Sequence, residues 1–80
     1  MYIDKYRELG KEALNTQGSS HYKTDDVEPL DLIFSFNMGQ DFCLGNIIKY
    51  ASRFKRTQNL KDLQKLIDYA VILYGYKQID

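Results

Sequence analysis

The sequence predicts an all-α domain, a small bundle of about four helices that ends in an antiparallel helical hairpin. Apolar residues recur at spacings of three and four through most of the chain. Residues that start and stop helices fall between these stretches: Pro29, Asp41 and Asn59 as starts, Gly39 and Gly75 as stops. Alternation of the strand type is weak, with only His21 to Val27 able to pair at an edge.

Ile3 to Leu14 reads as a short amphipathic helix, with Tyr2, Tyr6, Leu9 and Ala13 together and Ile3 and Leu14 at the edge. Gln17, Gly18, Ser19 and Ser20 break that pattern as a connector, and His21 to Asp26 forms a polar loop. Pro29 opens a second helix, where its missing N–H leaves no bond unmade. Leu30, Leu32, Ile33, Phe34, Phe36 and Met38 make that helix apolar nearly all round, which predicts burial on several sides until Gly39 ends it. Asp41 caps a third helix that runs to about Arg56. Asn59 caps a fourth, with Asp62 at its third position. Leu60, Leu63, Leu66, Ile67, Ala70, Val71, Leu73 and Tyr74 give the fourth helix a wide apolar stripe that stops at Gly75. The Thr57–Gln58 connection is tight enough to make the last two helices a hairpin. Two segments result, an N-terminal helix and connector over residues 1–19 and a helical domain over residues 20–76, in a single compact unit.

Eighty residues suffice for one domain with a modest core, so self-association or a ligand is expected to add stability. Seven tyrosines and no tryptophan among 14% aromatics favour an oligomer or a stacking surface. A formal net charge of zero argues against a duplex nucleic-acid partner, yet permits a small anion held by a local cluster. Cys43 is the sole cysteine, so there is no internal disulfide, and a reducing cytoplasm is expected. No apolar run is long enough to span a membrane, and Met1 to Gly10 lacks a signal-peptide core.

The most informative motif is a polar row on the third helix. Asn46, Lys49, Arg53 and Arg56 share one side, with Leu44, Ile47, Ile48, Ala51 and Phe54 opposite. The three cations supply charge for phosphate, arginine adds a two-pronged donor, and the amide can read a base or sugar. A solvated helix face is the ordinary alternative. Against it, the row carries one sign of charge, whereas a surface helix commonly mixes signs for i,i+4 pairing. Gly45 costs about 1 kcal/mol inside a helix, which predicts close approach by another backbone or a ligand.

Three segments in order carry a family resemblance: His21-Tyr22-Lys23; Gly45-Asn46-Ile47-Ile48-Lys49-Tyr50 with Arg53; and Asp62-Leu63 with Lys65 and Tyr69. The pattern resembles a family of small, mostly bacteriophage proteins known as a domain of unknown function, over about Ser20 to Tyr74. The chain departs from it in the glycine-free loop Arg56-Thr57-Gln58-Asn59 and at Leu66, where alanine is usual. Some relatives are regarded as nucleotide kinases acting on deoxynucleoside monophosphates. Other small phage proteins of similar nucleotide-binding role act as sponges for cyclic nucleotide signals of bacterial antiphage systems. The resemblance thus implies a nucleotide site of His21, Tyr22, Lys23, Asn46, Lys49, Tyr50 and Arg53, supported by Gly45, Asp62, Lys65 and Tyr69; Lys49 and Arg53 would hold phosphates, Asn46 and His21 would contact base or sugar, and Tyr22 or Tyr50 would stack.

Each position has a plainer reading. His21 and Tyr22 can be a packed loop; a single histidine is a poor metal site. Asp62, Lys65 and Tyr69 can be a cap, a solvent lysine and an interface tyrosine; in the functional reading Asp62 orients Arg53 or Lys49 across the hairpin. Asp25, Asp26 and Glu28 complement a helix dipole more readily than they bind magnesium. Cys43, Tyr50 and Tyr74 to Tyr76 fit a core or an interface.

A kinase needs two nucleotide sites, a metal and a base, and the glycine-rich phosphate loop is missing. A binder needs only cations, an aromatic and an amide. The preferred expectation is therefore a non-catalytic homo-oligomer, without cofactor or metal, in the cytoplasm of an infected bacterium. It would sequester a cyclic dinucleotide such as 3′3′-cyclic GMP-AMP. A nucleotide kinase and an inhibitor that docks on a host enzyme are the alternatives.

Overall fold

The structure, a computed structural model, describes residues 2–14 and 28–79. Four helices follow in order: α1 (Tyr2–Leu14), α2 (Pro29–Ser35), α3 (Gly39–Thr57) and α4 (Leu60–Ile79). No strand occurs among the described residues. The fold is all-α, as the apolar spacing predicts, with α4 in the middle, packed by α1 on one side and α3 on the other. The connector and the loop expected over Gln17 to Asp26 lie outside the described residues, as does the possible edge pairing of His21 to Val27.

The α3–α4 hairpin forms as its connection requires. Gln58 adopts a left-handed backbone (φ 54°), and its N–H bonds to Phe54 O at 2.8 Å, closing α3. Asn59 caps α4 by accepting the Lys61 N–H on Oδ1 at 2.9 Å.

Ile3, Tyr6, Phe34, Cys43 and Ile72 make the buried core, with Leu30, Tyr69, Leu73 and Tyr76 against it. The rings of Tyr6, Phe34 and Tyr76 form a triangle with centroid separations of 4.9, 4.9 and 5.4 Å, tying α1, α2 and α4 together. Asp31 is buried among them, and its carboxylate accepts the N–H of Ile3 at 2.9 Å and of Glu28 at 2.8 Å. One side chain thus satisfies backbone donors at the starts of both α1 and α2.

Several sequence expectations are corrected by packing. Gly75 does not stop α4, which runs on to Ile79. A Cβ at Gly75 would overlap the Tyr6 carbonyl oxygen, and one at Gly10 would overlap the Val71 carbonyl. These glycines let α1 and α4 cross backbone to backbone. In α1 the buried positions are Ile3, Asp4, Tyr6, Arg7 and Gly10, while Ala13 and Leu14 are exposed; the side chain of Tyr2 lies outside the described residues. Gly39 is the buried first residue of α3, where a side chain would strike the Phe34 ring, so α2 ends earlier than expected. Asp41 then falls within the first turn of α3, not at its cap. The apolar stretch is not buried all round: Phe34 in α2 is covered, but Leu32 in α2 and Phe36 and Met38 just beyond it are exposed.

The rotation of α3 is also corrected. Cys43 is fully buried and Ile47, Tyr50 and Phe54 partly so, whereas Leu44, Ile48 and Ala51 point outward. Helix α4 likewise buries Asp62, Val71, Ile72 and Gly75 and leaves Leu60, Ile67 and Tyr74 exposed. A helix gripped from two sides buries two narrow strips, not one wide stripe.

Candidate functional site

The hairpin gathers Lys49 and Arg53 of the polar row with residues of the fourth helix on one face. Tyr50 of α3 and Tyr69 of α4 lie nearly parallel, at an interplanar angle of 12° and a centroid separation of 6.1 Å. Phe42 meets Tyr69 edge-on at 6.1 Å. Antiparallel pairing brings residues so distant in sequence into one aromatic platform.

Three cations surround the Tyr50 ring. Lys49 Nζ is 5.2 Å from its centroid, Arg53 Cζ 5.8 Å and Lys65 Nζ 6.0 Å. The electron-rich ring face attracts each of them, by about 0.5–1 kcal/mol at exposed sites. Three like charges this close also repel one another, and an anion set among them would relieve that repulsion. Asp62 supplies a partial counterweight: its Oδ1 lies 3.6 Å from Arg53 Nε. Its other oxygen accepts a 2.6 Å hydrogen bond from Thr57 Oγ1, and Thr57 Oγ1 in turn accepts the Asn59 N–H at 3.1 Å. The turn itself therefore holds the carboxylate that faces Arg53.

Tyr69 sits against the core, and burial is the main cause that pushes its phenol pKa up, with Tyr50 and Asp68 adding to it. Cys43, behind the platform, is raised to about 11 by desolvation and then by Asp68. It is a neutral packing thiol, not a nucleophile.

Of the residues picked from sequence, Lys49, Tyr50, Arg53, Asp62, Lys65 and Tyr69 are brought together. Asn46 is half-buried on the same helix, and its amide donates to Phe42 O at 3.0 Å, so one of its donors is already committed. Gly45 does not line the platform. A Cβ there would meet nothing within 4 Å among the described residues, so the close approach expected of it does not come from them. Arg56 is exposed. His21, Tyr22 and Lys23 lie outside the described residues, as do Asp25 and Asp26. Among the described residues no group of three or more His, Cys, Asp or Glu side chains is placed to hold a metal ion. No described helix is long and apolar enough to cross a membrane.

Sequence reasoning missed Phe42 and Thr57. Phe42, Asn46 and Tyr50 recur every four residues, a spacing that places them in one row. It also missed Arg7, a buried guanidinium within 3.4 Å of Asp68, 3.5 Å of Asp4 and 3.8 Å of Glu28. Only the i,i+3 pair of Asp4 and Arg7 was visible in the sequence. This cluster joins α1, α4 and the start of α2 and is enclosed by carboxylates, so it suits structure better than anion binding. A separate, mostly apolar groove of about 430 Å³ opens between α3 and α4, lined by Ile47, Ala70, Leu73, Tyr74, Lys77 and Gln78 and shared with none of the platform residues.

No curated protein and no solved structure matches the chain. The family model described as a protein of unknown function (DUF3310) matches residues 16–71, which takes in the platform and leaves α1 outside, although α1 packs on α4. That match spans well over half of the sequence, and the chain belongs to the DUF3310 family.

Proposed function

We propose that the Tyr50 platform holds the phosphate of a nucleotide and that the protein sequesters the nucleotide without transforming it. The observation that carries this reading is the convergence of Lys49, Arg53 and Lys65 on one ring, with Asp62 facing the arginine. Preassembled cations lower the ordering cost that an anion would otherwise meet on binding. Phosphate sits among the cations, Arg53 gives it paired donors, and the Tyr50 ring is the floor that collects them. A base that stacks on Tyr50 first displaces a cation from its face, so the ring serves the phosphate end of the nucleotide.

The finer reading follows from the resemblance: a bacteriophage protein that withholds a cyclic dinucleotide immune signal from its effector in the infected cell. The test is to incubate purified protein with nucleoside mono- and triphosphates and cyclic dinucleotides, with magnesium. Free nucleotide is then measured before and after heat denaturation. Depletion followed by recovery of intact nucleotide is the expected result, and it is lost in the Lys49→Ala/Arg53→Ala double variant. A phosphorylated or cleaved product would make the protein an enzyme. Neither depletion nor product would refute nucleotide binding and turn attention to a protein partner.

A further inference from the structure

We infer that the outer face of α3 is a self-association seam, on which a second copy of this chain packs antiparallel about a two-fold axis at Ile48. The face is built from Asp41, Leu44, Ile48, Ala51 and Lys55, all exposed. Their spacings of three, four, three and four are those of a helix–helix seam. Ile48 is 70% exposed and Leu44 43% exposed, so the middle of the row is apolar and uncovered among the described residues.

The charges at its ends commit the seam to a second copy. Asp41 and Lys55 stand seven residues to either side of Ile48. In an antiparallel pair centred on Ile48, each Asp41 therefore meets the partner's Lys55, twice over by symmetry. A parallel pair would set like charges against each other and lose that match. The same register sets Gly45 opposite the partner's Ala51. Gly45 sits in the interior of α3 with open space where its side chain would be. Among the described residues nothing requires a glycine there, whereas two helix backbones packed closely do. Zero net charge removes the overall repulsion that would oppose pairing. Asn46 and Tyr50 lie about 160° round the helix from Ile48, Arg53 about 140° and Lys49 about 100°, so the platform sits off the line of the seam. The inference does not depend on what the platform binds.

Sedimentation equilibrium of the full chain tests it. A dimer is expected, and Ile48→Glu should raise its dissociation constant at least about 100-fold with unchanged helicity. Asp41→Lys should weaken the dimer, and adding Lys55→Asp in the same chain should restore it. Ile48→Cys should give a disulfide-linked dimer on mild oxidation, with Cys43 shielded in the core. A wild-type monomer at millimolar concentration would overturn the inference. So would a dimer indifferent to Ile48→Glu, a charge swap that fails to restore pairing, or an Ile48→Cys variant that does not cross-link.

Discussion

Arg53 Nε and Asp62 Oδ1 lie 3.6 Å apart across the α3–α4 hairpin, and the two side chains differ sharply in exposure, 47% against 7%. The carboxylate is the fixed member. Thr57 holds it from the turn, and the arginine reaches it from the rim with part of its guanidinium still in water. An exposed arginine gains little from such a pair. Its geometry is nevertheless biased toward the Tyr50 ring, where the other two cations lie.

Removing the carboxylate should therefore cost more than removing the arginine. Asp62→Ala deletes the hydrogen bond that Thr57 donates to a buried charged group and is expected to destabilise the fold by about 1.5–3 kcal/mol. Arg53→Ala should stay within about 1 kcal/mol. Thr57→Val and Asp62→Ala should be less than additive, because each deletes the same bond. Urea unfolding of the four-member cycle measures the coupling; strict additivity would show that the Thr57–Asp62 bond contributes nothing.

The glycines separate into two kinds. Gly75→Ala forces a methyl group into the Tyr6 carbonyl, and the crossing of α1 over α4 has to open. A loss of about 3 kcal/mol is expected. Gly45→Ala meets open space and should stabilise α3 by up to about 1 kcal/mol where the chain is monomeric. Thermal melts at low protein concentration compare the two; equal effects would contradict the packing described for α1 and α4.

The Cys43 thiol supplies a pH dependence. Its pKa is raised from 9.0 to about 11 in the folded chain, so the unfolded state ionises first as pH rises. Its contribution is whole below pH 9 and is lost as pH climbs from 9 toward 11. Tyr69, raised mainly by burial, acts in the same direction. Melting temperatures should fall through this range, and Cys43→Ala should flatten part of the decline. A thiol reagent at pH 8 should label Cys43 only after denaturation; rapid labelling of the native protein would show that the thiol is not enclosed.

Loss of any one platform cation should lower nucleotide affinity by about tenfold, since each contributes a charge-assisted contact to the same anion. Tyr50→Leu should weaken binding although it removes no charge, because the ring gathers the cations. Added salt should weaken wild-type binding more than that of Lys49→Ala. Isothermal titration with the nucleotide found in the depletion experiment reads all three; a Tyr50→Leu protein that binds as well as wild type would remove the ring from the site.

Helix type, helix order and the hairpin could be read from the chain because they rest on local causes. Apolar spacing, Pro29 at a helix start and Asn59 as a cap act within a few residues of themselves. Lys49 and Arg53 were legible for the same reason, since residues three and four apart on one helix face the same way; Tyr50, Asp62, Lys65 and Tyr69 came from the family resemblance, and Phe42 from neither. What periodicity could not supply was the rotation of each helix and the reason for each glycine. A stripe as wide as that of α4 is compatible with several orientations, and the choice between them is made by contacts between distant residues. The crossing of Gly10 and Gly75, the stacking of Tyr50 on Tyr69 and the hold of Asp31 on two helix starts decide it. The sequence by itself determined which segments are helical and which of their sides are charged. Only the tertiary structure decided which apolar side was buried and which was left facing outward, because burial is settled by competition among whole helices for one small core.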